Sequence, residues 1–197
     1  MASYLALRDR RLEGGVPSRP RLNIVNTDAG TPLSGAFRRI NAASRQSGGL
    51  HSIFILCHGY EDILSVGLSS QQRGGMGLEL GREDVLHTNV YLWEAVKGAA
   101  RNIVVYSCAA SDTAPGQTGT NQDGRYLMGA LAIHTGAFVY AADETQEYYT
   151  YNDLANGRYD FGSWEGRLLR FPPSGEAATV VGRPPVELND VFGGSAP

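Results

Sequence analysis

Two runs of the sequence are almost wholly apolar, and both end in residues that can carry chemistry. Ser52–Tyr60 reads SIFILCHGY, and Asn102–Ser111 reads NIVVYSCAAS. Apolar runs without polar alternation are typical of strands buried on both faces, as in covered parallel sheets. Parallel strands present their carboxyl ends at one edge of a sheet, and α/β proteins hold their ligands there. The pattern therefore limits both the fold and the place where function is to be sought.

The segments around these runs predict helices and strands in alternation. Arg21–Thr27 has the pattern of a strand, and Leu33, Phe37 and Ile40 follow it at the spacing of one helical face. Strand–helix–strand order at this spacing predicts an α/β fold with a mostly parallel sheet. Two further helices and two further strands are predicted at Thr88–Ala99, Arg125–His134, Ala137–Ala142 and Arg167–Phe171.

The length of 197 residues suits a single domain with extensions. Residues 1–20 are charged and broken by glycine and proline, which predicts an N-terminal arm. Residues 21–171 hold the strand and helix pattern and form the predicted domain. Residues 172–197 carry five of the nine prolines and predict an irregular C-terminal tail. Within the domain, the glycine-rich Tyr60–Gly81 predicts a hairpin or loop excursion, and the tyrosine-rich stretch after Asp143 a meander or loop.

Composition excludes several classes of protein. An apolar fraction of 42% argues against disorder, and a net charge of −3 without a basic run argues against a nucleic-acid partner. No run reaches the roughly 18 apolar residues of a membrane span, and no secretory signal is recognisable, so we expect no membrane association and a cytoplasmic location. Two cysteines at strand ends favour a reducing compartment without a disulfide, and the histidines and cysteines lack metal-ligand spacing, so we expect neither a metal nor another cofactor.

The strand ends offer a nucleophile and a base. His58 and Cys108 each end a predicted central strand, and neighbouring parallel strands would bring them to one edge about 5 Å apart. A catalytic thiol needs an imidazole partner and backbone N–H donors for the oxyanion. Gly59, with no side chain, would leave its N–H open to a carbonyl oxygen. By contrast, Cys57 is expected in the core, since alternate residues of a strand point to opposite faces.

The order of these motifs resembles that of the caspase-like cysteine peptidases of clan CD, in particular bacterial members. A strand ending in His-Gly precedes a strand ending in Cys, and Cys108 follows His58 by 50 residues, close to the spacing of caspases. The stretch DGRYLMGALAIHTGAFVYAA resembles the helix and strand that follow the nucleophile in that clan. The likeness covers roughly residues 22–142. The caspase signature around the cysteine is absent, because this chain has Tyr-Ser-Cys-Ala-Ala.

The resemblance implies a three-layer α/β/α sandwich and a cysteine endopeptidase that needs no cofactor and acts on a protein or peptide. It assigns His58 and Cys108 as a catalytic dyad and the N–H groups of Gly59 and Cys108 as the oxyanion hole. Asp143 and Glu144 follow the strand that helps to build the substrate pocket in this family, and their charge would favour a basic residue before the scissile bond. Activation by a partner or by self-processing is common in the clan.

Other interpretations stay open. A pocket for aspartate would need an arginine instead, and Arg38, Arg39 and Arg82 are candidates. FILCHGY also resembles the oxyanion stretch of α/β-hydrolase esterases, although the chain has no G-x-S-x-G elbow and only His134 follows Cys108. A caspase-like fold could also serve as a catalytically inactive interaction module.

Overall fold

The computed structural model describes residues 2–60, 62–66, 69–151 and 157–192, and for 62–66 and 69–73 the backbone alone. The strands are, in chain order, β1 (Tyr4–Asp9), β2 (Leu22–Thr27), β3 (Leu50–Leu56), β4 (His58–Gly59), β5 (Asp62–Val66), β6 (Ser69–Arg73), β7 (Leu78–Glu79), β8 (Ala100–Tyr106), β9 (Phe138–Ala142), β10 (Tyr149–Tyr151), β11 (Arg158–Asp160), β12 (Leu168–Phe171) and β13 (Thr179–Val181). The helices are α1 (Leu33–Ser47), a 3₁₀ helix (Val90–Val96), α2 (Gly124–Thr135) and α3 (Leu188–Phe192).

Seven strands form one central sheet in the order β13-β12-β9-β8-β3-β1-β2. The five strands from β2 to β9 in this order are parallel, and β12 and β13 close one side in antiparallel pairing. The predicted α/β class with a mostly parallel sheet is confirmed. The two apolar runs of the sequence, β3 and β8, are adjacent at the centre, where a strand has sheet on both sides and layers above and below.

The predicted N-terminal arm over residues 1–20 is wrong in its first half, because β1 lies inside the sheet between β2 and β3. Leu5, Ala6 and Leu7 are fully buried. The apolar run is short and is followed at once by charge, so it resembles a peripheral segment in the sequence. Its burial comes from pairing with strands that are distant along the chain, which local composition does not reveal.

One face of the sheet is covered by helices. Leu33, Phe37 and Ile40 of α1 pack there, as the helical spacing predicts, together with residues of the 3₁₀ helix and α2. The helix predicted at Thr88–Ala99 is a shorter 3₁₀ helix, whereas α2 and its stop at Gly136 agree with the prediction.

The other face is covered by a layer of different composition. Tyr159 and Phe161 pack there with Leu188 and Phe192 of α3. The C-terminal tail predicted to be irregular over 172–197 therefore contributes a sheet strand, β13, and a short helix to the fold. Proline-rich composition concealed these elements, since each is short and bounded by Pro-Pro or Gly-Ser sequences.

Two hairpin-like excursions leave the sheet. β5 and β6 pair antiparallel, and so do β4 and β7, which fits the hairpin predicted for Tyr60–Gly81, although Glu61, Gly67 and Leu68 lie outside the described residues. The tyrosine-rich stretch forms the antiparallel pair β10–β11. Among the described residues, no helix combines the length and apolar character that crossing a membrane requires.

Candidate active site

The register of β3 and β8 brings the two predicted catalytic residues to one level. Leu56 lies opposite Tyr106, and the Cys57 N–H donates to the Tyr106 carbonyl oxygen at 3.4 Å. His58 and Cys108 each lie two residues beyond this last paired position. Because neighbouring strands are about 4.8 Å apart, the imidazole and the thiol leave adjacent strand ends at the carboxyl edge of the sheet.

Both side chains belong to the same face of the sheet by alternation. Leu56 and Tyr106 lie in the cluster on the α3 side, whereas Cys57 lies in the cluster on the helical side. His58 and Cys108 follow Leu56 and Tyr106 at even spacing, so strand alternation, extended two residues past the paired ends of β3 and β8, predicts the α3 side for both. Tyr148 packs against the cluster on that side; burial raises its pKa, and the charges of Glu13 and Cys108 add to this effect.

The two cysteines have different environments. Cys108 is partly exposed, and its Sγ donates a weak hydrogen bond to the Gln146 carbonyl oxygen at 3.9 Å. Cys57 is buried at 1% exposure, and burial raises the pKa of its thiol far above the ordinary value. A buried, protonated thiol is inert, so Cys108 is the reactive candidate and Cys57 a core residue, as expected.

Gly59 is required by the close approach of two backbones. A Cβ at this position would lie 2.2 Å from the Cys108 carbonyl oxygen and 3.0 Å from the Ser107 hydroxyl. In the β4–β7 pair the Tyr60 N–H donates to Gly77, so the alternation of an antiparallel ladder turns the Gly59 N–H away from β7. This geometry fits the prediction that the Gly59 amide faces the nucleophile.

The turn after Cys108 is strained and is held by hydrogen bonds. Ala109 has φ of 42°, in the left-handed region that a side chain disfavours. Its N–H donates to the Glu144 carbonyl oxygen at 2.9 Å, and the Ser111 N–H donates to Ala142 at 3.0 Å. Gly74 packs on the other side, where a Cβ would lie 2.6 Å from the Ala109 carbonyl oxygen. Strain that is held in this way is frequent at functional sites.

The strand that carries His58 is tied to the N-terminal segment by an ion cluster. The Arg11 guanidinium contacts Asp9 at 2.8 Å, Glu79 at 3.1 Å and Asp84 at 3.4 Å. Glu79 lies opposite His58 in the β4–β7 pair. Asp9 is fully buried; burial alone would raise its pKa, but hydrogen bonds from Arg11 and from backbone amides outweigh this effect and lower it. The cluster therefore fixes the His58 strand against β1.

The predicted substrate-binding carboxylates line a cavity of about 870 Å³, and Ala109, the residue after Cys108, also lines it. Asp143 is paired, because Arg167 contacts it through Nε at 2.8 Å and through Nη2 at 2.7 Å. Glu144 is exposed. The remaining charged lining residues are Asp112, Glu147, Glu165 and Arg167. The cavity therefore keeps an excess of negative charge even though Asp143 is partly neutralised.

The alternative candidates that the structure describes have partners elsewhere or lie on the surface. The Arg39 guanidinium donates to backbone carbonyls of β2, and Arg82 donates to the Gly30 carbonyl oxygen. Arg38 is exposed on α1. His134 pairs with Glu94 at 3.3 Å near the end of α2. Because the Gly98 N–H donates to the last α2 residue and β8 starts just after Gly98, this end lies at the opposite edge of the sheet.

Sequence reasoning missed Arg8 and Arg10, which lie where β1 ends beside β3. They were missed because β1 itself was not recognised. The available signal was the four-residue run Tyr4–Leu7 directly before RDRR, which is the pattern of a buried strand followed by a charged strand end.

Scans of the sequence against protein-family models and against curated proteins find no match. What defines this site is its geometry: a thiol and an imidazole at level ends of two parallel strands, a glycine backbone against the thiol residue, and a strained turn beyond it. In the part of the chain that the structure describes, no group of three or more metal-ligating side chains occurs.

Proposed function

We propose that this protein is a cysteine endopeptidase with a caspase-like three-layer fold, in which His58 and Cys108 form the catalytic dyad. One observation carries the proposal: β3 and β8 are adjacent, parallel and in a register that puts both residues two positions beyond the Leu56–Tyr106 pair. Acyl transfer through a thioester needs an imidazole close to an accessible thiol, and this register puts His58 and the partly exposed Cys108 at the ends of adjacent strands.

The chemistry follows from these positions. The Cys108 thiol gives its proton to His58, and the sulfur attacks the carbonyl carbon of the scissile peptide bond. The oxyanion that forms accepts hydrogen bonds from the N–H groups of Gly59 and Cys108. When the C–N bond breaks, His58 gives the proton to the leaving amine, and a thioester remains on Cys108. Water, deprotonated by His58, then attacks the thioester, releases the carboxylic acid and restores the thiol.

We further propose that the residue before the scissile bond, P1, is lysine or arginine. The cavity that Ala109 helps to line supports this, because its carboxylates outnumber its one arginine and Ala109 directly follows Cys108. A long basic side chain that reached from the thioester position into this cavity would be stabilised by charge pairing.

The two rival functions receive less support. In an α/β-hydrolase esterase the catalytic histidine would follow the nucleophile, but His134 lies at the far edge of the sheet beside Glu94. An inactive interaction module would not need a partly exposed cysteine level with a histidine, nor a glycine pressed against its backbone.

The test is cleavage of a peptide library by the native protein and by three single variants, Cys108→Ala, His58→Ala and His134→Ala. We expect the first two variants to be folded and inactive, and His134→Ala to cleave like the native protein. Cleavage should occur after lysine or arginine. Equal or better cleavage after aspartate would contradict the acidic P1 pocket, and loss of ester hydrolysis in His134→Ala would favour the esterase.

The same proteins distinguish an inactive interaction module from a peptidase. If the native protein cleaves nothing, alkylation of Cys108 by iodoacetamide decides the matter. A thiol activated by His58 reacts well below pH 8 and slows in His58→Ala, whereas an inert thiol reacts slowly in both.

A further inference from the structure

A second cavity, of about 730 Å³, opens at the carboxyl ends of β1 and β2. Its charged lining residues are Arg8, Arg10 and Glu13, and Asn26 and Gly14 complete it. In the sheet order, β3 lies between β1, at this cavity, and β8. His58 follows the end of β3, and Cys108 follows the end of β8. The acidic cavity lies on the β9–β12 side instead. The dyad is thus flanked by cavities of opposite charge.

The Arg8 guanidinium is held in place before any ligand arrives. Its Nε donates to the Tyr159 hydroxyl at 2.8 Å and its Nη2 to the Leu12 carbonyl oxygen at 3.2 Å. Tyr159 is fully buried and donates its own hydroxyl proton to Leu12 at 2.9 Å, so this support is rigid. Both acceptors are neutral, and the positive charge of Arg8 therefore remains available to a ligand.

Arg10 adds a second positive charge at the rim. It is exposed and acts on the Asp28 carboxylate only at longer range. Neither Arg8 nor Arg10 has a carboxylate within 4.0 Å among the side chains that the structure describes. Glu13 also lines the cavity and offsets one of the two charges.

The cavity and the dyad share one face and one level. Arg8 lies opposite Leu56 in the β1–β3 register, so Arg10 is level with His58. Ala6 belongs to the cluster on the α3 side, which places Arg8 on the same face as His58 and Cys108. Tyr148 and Arg8 are both attached to this layer, since Tyr148 packs against Tyr159 at 5.6 Å between ring centres and Arg8 donates to the Tyr159 hydroxyl.

We propose that this cavity binds a carboxylate side chain of the substrate, on the leaving-group side of the scissile bond. The inference rests on the proposed peptidase function. His58 must reach the leaving nitrogen to protonate it, so the leaving segment passes over β3 and on toward β1. β1 lies about 10 Å from β8, and an extended peptide advances roughly 3.4 Å per residue. Aspartate or glutamate is therefore preferred at the second or third residue after the scissile bond, P2′ or P3′.

The experiment uses fluorogenic peptides with arginine at P1 and either glutamate or glutamine at P1′, P2′ or P3′. We expect kcat/KM to be about tenfold higher for glutamate at P2′ or P3′, the scale of a few exposed charge pairs. The ratio of kcat/KM for the glutamate peptide to that for the glutamine peptide should fall toward one in Arg10→Gln and at high salt. Arg101→Gln is the matched control, because Arg101 is equally exposed but lies at the opposite end of β8. An equal preference in native protein and Arg10→Gln, or a glutamate preference confined to P1′, would overturn the proposal.

A binding measurement separates this proposal from the peptidase itself. Cys108→Ala cannot form the thioester, so calorimetric titration with the same glutamate and glutamine peptides reports affinity alone. If Cys108→Ala binds the glutamate peptide more tightly than the glutamine peptide, and the double variant Cys108→Ala/Arg10→Gln does not, the result supports the carboxylate site even if the native protein cleaves nothing. Equal affinity for the two peptides rejects the site even if the native protein is an active peptidase.

Discussion

Replacement of Asp9 by asparagine should destabilise the fold far more than the loss of a surface carboxylate would. The buried carboxylate accepts hydrogen bonds from the Arg11 N–H, Nε and Nη2, from the Thr27 hydroxyl and from the Gly81 N–H, at 2.8–3.1 Å. Asparagine supplies one acceptor oxygen and one NH₂ group. In either orientation the NH₂ group, which cannot accept a hydrogen bond, faces some of these donors. Removing one partner of a buried ion pair typically costs about 3–5 kcal/mol, and we expect a loss of that size.

Urea unfolding followed by tryptophan fluorescence measures this loss, because Trp93 is fully buried and packs against Phe37 at 5.2 Å between ring centres. Asp28→Asn is the matched control, since Asp28 lies in an exposed turn, where its Oδ1 accepts hydrogen bonds from the Gly30 N–H and the Thr31 hydroxyl, and an asparagine oxygen can accept the same bonds. The reasoning is refuted if Asp9→Asn and the native protein unfold at the same urea concentration with the same slope.

The same ion cluster determines how the stability of the fold changes with pH. The folded-state pKa of Asp9 is lowered relative to its ordinary value near 3.8. A lowered pKa contributes stability that is complete above the ordinary value and is lost as the pH falls through the folded value. Native stability should therefore fall on acidification below about pH 4, and Asp9→Asn should show a shallower fall.

Three further predictions concern the site and its supports. Gly59→Ala should abolish cleavage, because its Cβ would meet the Cys108 carbonyl oxygen. The control Gly182→Ala, whose Cβ would have nothing within 4 Å, should leave activity unchanged. Retained activity in Gly59→Ala would show that the close approach of the two backbones is not required for cleavage. Cys57 should resist iodoacetamide at neutral pH until urea unfolds the chain, and mass spectrometry of labelled peptides that found it modified in the folded protein would contradict its burial. Asp123→Ala should lower the free energy of unfolding by about 1–2 kcal/mol through loss of the α2 cap, while Asp123→Asn should retain most of it; equal losses would show that capping is not the cause.

The elements that could be predicted from the sequence are those whose signal is local. β3 and β8 were recognisable from apolar runs, α1 from the helical spacing of Leu33, Phe37 and Ile40, and α2 from its pattern and its stop at Gly136. His58 and Cys108 were nominated because strand ends and residue chemistry can both be read locally. The environment of Asp143 could not be predicted in this way, since Arg167, which pairs with it, lies 24 residues further along the chain, just before β12.

The sequence by itself determined the α/β class, the central strands and the chemical identity of the candidate dyad, because periodicity and side-chain chemistry are properties of short stretches. Only the tertiary structure decided that residues 4–9 are a strand inside the sheet, and that the C-terminal segment covers its second face. It also decided the register that makes His58 and Cys108 level, and the place of Arg8 and Arg10 beyond them. Strand order and register depend on pairing between segments remote in the chain, and no local pattern specifies which partners meet.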